Sequence, residues 1–128
     1  MVFSGDFEKI LLDHAARIGS LAKAENVPPN QLEQIIASLE NSQDRENSVL
    51  ICAAFAKRQA NRLERGNKTA LAIVEAMKEI LAGKGGKEEA RKLLGLAKWI
   101  KESLEDQRVP YQGVKNFEEY MNLLLSKR

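Results

Sequence analysis

The single cysteine and the single histidine of this 128-residue chain are its first candidates for a nucleophile or a metal ligand. Cys52 lies in the apolar run VLICAAF, where a thiol usually serves as a small core residue. His14 lies four residues after Ile10 and four before Ile18, on or beside the buried face of a predicted helix. The two are far apart in the chain and give no zinc-like spacing. The sequence therefore predicts no catalytic residue, no metal site and no cofactor.

A glycine-rich segment, GKGGK at residues 83–87, precedes a predicted helix. Such loops can bind phosphate because the first amides of a helix lack intrahelical partners. The segment does not have the spacing of a Walker motif, no strand precedes it, and Lys87 is followed by Glu88 and Glu89. We interpret it as a flexible hinge or connector.

The basic residues indicate a function more strongly than the cysteine, the histidine or the glycine-rich segment. The net charge is only +2, but residues 1–56 hold four basic and eight acidic groups, whereas residues 57–128 hold sixteen basic and ten acidic groups. Helical spacing places Arg58, Arg62 and Arg65 on one stripe. The predicted nucleic-acid-binding residues are, first, this stripe with its neighbour, Lys57, Arg58, Arg62 and Arg65, and second, the outer face of a later helix, Arg91, Lys92, Lys98 and Lys101.

Cations on one face suit the phosphates of single-stranded RNA or DNA, and such binding is steeply salt-sensitive. Aromatic residues make up 5% of the chain, too few to predict a platform for stacked bases. Two other interpretations stay open. The charges can be ordinary solvated helix surface, or Gln59 and Arg62 can join a polar network with another subunit.

These residues must be positioned by helices, because apolar residues recur at helical spacing and no window alternates as a strand does. The chain is 44% hydrophobic and 30% charged, which is typical of a globular protein. We predict an all-α fold, a single compact bundle of about five to six helices formed by residues 1–128. The predicted helices cover residues 6–24, 30–41, 45–65, 68–81, 87–106 and 116 to the C-terminus, after an arm at residues 1–5.

Helix 3 of this set is expected to be central. Every residue from Val49 to Ala56 is apolar, which predicts a helix covered on all sides. Gly66 is expected to end it in the left-handed conformation. Asn30 with Glu33, and Asn116 with Glu119, resemble capping boxes at the starts of helices 2 and 6.

Two segments carry a family resemblance, FAKRQANRLERG at residues 55–66 and EEARKLLGLAKWIKESLED at residues 88–106. Together they resemble the helical small subunits of CRISPR effector complexes, Cascade-like or type III. The resemblance implies a non-catalytic protein of antiviral defence. It would pack head to tail along a ribonucleoprotein filament and support guide or target nucleic acid through Lys57, Arg58, Arg62 and Arg65. Residues 1–56 have no matching feature.

The leading hypothesis is therefore a non-enzymatic structural subunit of a nucleoprotein complex, which contacts phosphates through a basic helix face and other subunits through apolar surface. The alternative is a protein-interaction or oligomerisation module without nucleic acid, whose partner surface is marked by Trp99 and by the two-sided apolar pattern of helix 4. A third is a small enzyme or ligand binder that uses the bundle interior. Because no export signal or membrane-spanning stretch is visible, we expect a cytoplasmic protein.

Overall fold

A computed structural model describes residues 5–126 of the chain, and over this range the protein contains six α-helices, one short 3₁₀ helix and no strand. The all-α fold class is confirmed. Most of the predicted arm at residues 1–5 lies outside the described residues. The prediction that the last helix runs to the C-terminus is wrong, since it ends at Leu125 and Ser126 is extended. The helices are α1 (Gly5–Ala24), α2 (Pro29–Ala37), the 3₁₀ helix (Ser38–Asn41), α3 (Arg45–Leu63), α4 (Asn67–Ala82), α5 (Lys87–Ser103) and α6 (Phe117–Leu125).

The centre of the bundle is the pair α1 and α5, which pack against each other along most of their lengths. α4 and α6 pack on α1, whereas α2 and the 3₁₀ helix pack on α5. The two central helices approach closely because their contact is lined by small residues. A Cβ atom added to Gly19 would lie 2.6 Å from the Ala97 carbonyl oxygen and 2.7 Å from Cγ2 of Ile100. Other small buried residues in this pair are Ala15, Ala16, Ala22, Ala90 and Ala97.

The prediction that helix 3 is the covered central helix is wrong. α3 lies at the edge of the bundle, packed mainly against α4 on one side and the 3₁₀ helix on another. Leu50, in the middle of the apolar run, is 55% exposed. Alanine and cysteine have little side chain to bury, so this run can supply one buried stripe and leave the outer face in water. The buried stripe consists of Ser48, Val49, Cys52, Ala56 and Ala60.

α4 uses its two-sided apolar pattern within the bundle, because it packs against both α1 and α3. Ala72, Ile73, Ala76 and Ile80 are fully buried between these neighbours. The pattern is therefore explained by contacts within the described chain.

Helix ends follow the local sequence in part. Asp44 caps α3 by accepting a hydrogen bond from the Asn47 amide at 2.7 Å, and Asn116 caps α6 in the same way. The capping box predicted at Asn30 is wrong, since α2 already begins at Pro29 after Pro28. α3 also ends earlier than predicted, at Leu63.

The left-handed residue that ends α3 is Glu64, with φ of 53°, and not Gly66. Gly66 is also left-handed, with φ of 80°, but it serves as the residue before α4. Two left-handed residues in the turn at residues 64–66 reverse the chain within a short distance and bring the end of α3 beside the start of α4.

The loop between α5 and α6 is tied to α1. The Val114 amide donates to Ser20 Oγ at 2.8 Å, and the Phe117 amide donates to Asp13 Oδ1 at 2.9 Å. Burial raises the pKa of the Asp13 carboxyl, but the hydrogen bonds from Phe117 and Lys9 outweigh it, so the pKa lies below its ordinary value. The ionised carboxylate therefore holds α6 in place.

The glycine-rich segment at residues 83–87 is a packed turn. The Phe7 ring lies against Gly83, and the Arg45 side chain lies across Gly86, where a Cβ atom would collide with it. Glu89 accepts a hydrogen bond from the Gly86 amide at 2.7 Å. The glycines are thus explained by close approach of these side chains.

Gly19→Ala is expected to lower the free energy of unfolding by about 1 to 3 kcal/mol, because its methyl group would force α1 away from the α5 backbone. The matched control is Gly95→Ala in α5, where an added Cβ meets nothing within 4 Å. The control is expected to leave stability unchanged or raise it by up to about 1 kcal/mol. Urea unfolding followed by circular dichroism measures both, and equal stability of the two variants would contradict the close approach.

Candidate nucleic-acid interface

The first predicted set of cations lies along the end of α3, where the peripheral position of the helix leaves its outer face in water. Arg58 and Arg62 are exposed and form no hydrogen bond or ion pair with residues 5–126. Lys57 donates to the amide oxygens of Asn61 at 3.0 Å and Asn67 at 2.6 Å.

Arg65 lies in the turn after α3, with Nη1 3.5 Å from the carbonyl oxygen of Asn26. The partners of Lys57 and Arg65 are therefore neutral oxygens. Across the whole first set, no positive charge is offset by a hydrogen-bonded carboxylate within the part of the chain that the structure describes.

The second predicted set, on α5, is placed differently. Arg91 pairs with Glu40 and, at 2.6 Å, with Glu88. Lys98 lies 3.7 Å from Glu33. The hydrogen bond from Arg91 lowers the pKa of Glu40, and the same contact raises the pKa of Arg91. An anionic ligand at this face would have to compete with carboxylates already present.

The remaining members of the second set have no such pair. Lys92 is exposed and Lys101 is half-buried, and neither forms an ion pair with the described residues. Both lie on α5.

α2 and the 3₁₀ helix lie between the two sets. Glu33 and Glu40 pair with α5, while Gln34 accepts a hydrogen bond from Gln59 of α3 at 3.0 Å. The two sets therefore do not merge into one stripe across this side of the bundle. The polar contact of Gln59 is made within the chain.

Beside the first set lies an open depression of about 470 Å³, at the junction of α1, α3 and α4. Most of its lining residues have polar side chains, and the lining consists of Glu25, Ala60, Asn61, Glu64, Arg65, Gly66 and Asn67. Lys57 borders it through its hydrogen bonds to Asn61 and Asn67. Sequence reasoning missed this site because Glu25 is far along the chain from residues 60–67, which form the rest of its lining.

Glu25 links the turn after α1 to the start of α4 beside the depression. Its carboxylate accepts hydrogen bonds from the Thr69 amide and hydroxyl, each at 2.7 Å, and from the Lys68 amide at 3.2 Å. It thus caps the start of α4 from a distant part of the chain. The negative charge of Glu25 faces the positive end of the α4 dipole. This dipole partly offsets the charge, so that Glu25 repels an incoming anion less strongly.

Two further basic and aromatic residues lie at this end of the bundle. Lys68, in the first turn of α4, places its Nζ 3.2 Å from the centre of the Tyr111 ring. Tyr111 is 73% exposed. Neither was among the predicted site residues, since nothing in the loop sequence RVPYQGVK indicates its contact with α4.

The residues with nucleophilic or metal-binding chemistry lie elsewhere. Burial raises the pKa of the Cys52 thiol to about 11, so the thiol stays protonated at neutral pH. Burial also lowers the pKa of His14, which is half-buried between α1 and α4. Within residues 5–126, no group of three His, Cys, Asp or Glu side chains could hold a metal ion.

The interior offers little room for a ligand. A cavity between α2, α3 and α4 has a volume of about 20 Å³, far below the roughly 300 Å³ of a small-molecule site.

Comparison with known protein families, with curated proteins and with solved structures finds no match to this chain. In the described part of the chain, no helix combines the length and the hydrophobicity required to span a bilayer.

Glu25→Ala is expected to lower the free energy of unfolding by about 1 to 2 kcal/mol, because it leaves the first amides of α4 without an acceptor. Glu105→Ala is the matched control, since Glu105 is exposed and its side chain forms no hydrogen bond with the described residues. The control should change stability by less than about 0.5 kcal/mol. Thermal unfolding of both variants tests this, and equal melting temperatures would contradict the capping role of Glu25.

Proposed function

We propose that this protein binds nucleic acid through the end of α3, where Lys57, Arg58, Arg62 and Arg65 contact backbone phosphates. The observation that carries the proposal is that Arg58 and Arg62, two exposed guanidinium groups one turn apart, have no carboxylate partner among residues 5–126. Guanidinium groups bind phosphate with two parallel hydrogen bonds.

The difference between the two predicted sets supports this choice. A phosphate that binds Arg58 or Arg62 displaces only water and counterions, and the release of counterions favours binding. A phosphate at Arg91 must replace Glu40 and Glu88, which are hydrogen-bonded to the guanidinium. Arg91 and Lys98 therefore contribute long-range attraction, while the α3 cations make the contacts.

The resemblance to CRISPR effector small subunits extends the proposal to a role in a larger assembly. In that role the chain is a non-catalytic subunit that lies along a nucleoprotein filament. Leu50 and Ala54 are exposed on the outer face of α3, immediately before the arginines. A neighbouring subunit that covers them would keep the basic end of the same helix beside the nucleic acid.

The triple variant Arg58→Ala, Arg62→Ala, Arg65→Ala is expected to weaken binding of a short oligonucleotide at least tenfold at low salt, on the order of 1.4 kcal/mol or more. The slope of log affinity against log salt should fall by about 2 to 3, because about that many phosphate contacts are lost. Fluorescence anisotropy with a labelled oligonucleotide measures both quantities.

The matched control is Lys92→Ala, Lys98→Ala, Lys101→Ala, which removes the same charge from α5. It should weaken binding less and leave the salt slope nearly unchanged. Equal effects of the two triple variants would show that only net charge matters. An absence of wild-type binding at low salt would rule out the proposed function.

A second candidate function, protein interaction without nucleic acid, is favoured by Trp99. This residue lies on the outer face of α5 and is 71% exposed. One turn earlier lies Gly95, above which there is open space. Large exposed aromatic residues are common anchors of protein interfaces.

If Trp99 anchors a partner, Trp99→Ala should weaken self-association or partner retention by tenfold or more, since such anchors contribute about 2 kcal/mol. Leu63→Ala, at another exposed apolar residue, is the control and should have little effect. Sedimentation velocity over a range of concentrations, alone and with co-purifying proteins, measures the association. A monomer at every concentration without a retained partner would exclude this function.

A further inference from the structure

We infer that Tyr111 stacks on an unpaired base, so that the basic end of α3 binds single-stranded nucleic acid in preference to duplex. The inference rests on the proposed function, because the phosphates bound by α3 bring the strand to this end of the bundle. It adds a site that the composition of the chain did not predict.

The Tyr111 ring is available for stacking on one face. The Lys68 ammonium lies 3.2 Å from the ring centre on the other face. A side chain that is 73% exposed cannot have protein covering both faces, so the second face is open. Every base has a face that can stack on such a ring, which makes the contact independent of sequence.

The ring is also held in a fixed position. Tyr111 lies in a tight turn that is closed by a hydrogen bond from the Gly113 amide to the Pro110 carbonyl at 2.8 Å. Gly113 has φ of 70° and packs over Ser20 and Leu21 of α1. A preformed turn loses little conformational entropy when a ligand binds.

The stacking face and the phosphate contacts belong to one continuous surface. Lys68 follows Arg65 by three residues, and its amide is hydrogen-bonded to Glu25, which lines the depression. Arg65 contacts the carbonyl oxygen of Asn26, which follows Glu25 in the turn after α1. A strand bound at Arg62 and Arg65 can therefore cross the depression and reach Lys68 with a phosphate and Tyr111 with a base.

The acidic groups at this surface are few. Glu64 is exposed beside the depression, and Glu25 is engaged with the start of α4. Five cations, Lys57, Arg58, Arg62, Arg65 and Lys68, lie in the segment of residues 57–68. Trp99 is also strongly exposed, but on its face of α5 the acidic residues Glu88 and Glu102 accompany Lys92, so the charges there largely cancel.

The test compares Tyr111→Ala with Tyr111→Phe in the full chain. The probes are single-stranded DNA and RNA of one sequence, the matching duplex, and a single strand that carries abasic sites. Tyr111→Ala should weaken single-strand binding about tenfold and leave duplex and abasic-strand binding unchanged, while Tyr111→Phe binds like wild type. A loss confined to the DNA or to the RNA strand supports the inference and identifies the polymer.

A spectroscopic measurement reports stacking directly. In the variant Trp99→Phe, Tyr111→Trp, the only tryptophan is at position 111, and its fluorescence should be quenched by the single strand but not by the abasic strand. Quenching that is equal for both strands would overturn the inference.

The outcomes separate this inference from the proposed function. If Tyr111→Ala binds single strands as well as wild type while the α3 triple variant loses binding, the stacking site is wrong and the phosphate site stands. If Tyr111→Ala weakens duplex and single strand equally, stacking is also wrong. If wild type binds no oligonucleotide at low salt, both fail.

Discussion

The close approach of α1 and α5 at Gly19 is the constraint on which the rest of the structure depends. Because Gly19 has no side chain, the α1 backbone lies against Ala97 and Ile100 of α5. The other helices then pack around this pair, α4 and α6 on α1, and α2 on α5. No central position is left for α3, which packs at the edge despite its apolar sequence. The exposure of its last turns, and hence the proposed binding surface, follows from this arrangement.

The groups beside a cation in this fold decide whether it is available to bind a phosphate. Arg58 and Arg91 are the same residue type on exposed helices, and both were candidate contacts. Arg91 faces Glu40 of the 3₁₀ helix, which satisfies its charge. Arg58 is exposed and forms no ion pair with residues 5–126. A phosphate gains more at Arg58 because no existing ion pair must first be broken.

Glu25 connects the fold to the proposed site. Its hydrogen bonds to Lys68 and Thr69 fix the end of α1 to the start of α4, a contact between residues more than forty positions apart. The same bonds set the shape of the depression beside Arg65 and the position of Lys68. The Lys68 ammonium in turn lies over Tyr111. One carboxylate therefore places a phosphate-binding group and an aromatic ring on the same surface.

The sequence alone determined the helices and several of their ends, because apolar spacing and caps such as Asp44 and Asn116 act within a few residues. It also placed Arg58 and Arg62 one turn apart on α3, whereas Arg65, predicted on the same helical stripe, lies in the turn after the helix. Only the tertiary structure decided which helix is central, because the apolar run at residues 49–56 fits a half-covered helix as well as a buried one. It also decided that Arg91 is paired while Arg58 is not, and that Tyr111 meets Lys68. These are contacts between distant segments, and their partners are chosen by the packing of whole helices, which no local pattern encodes.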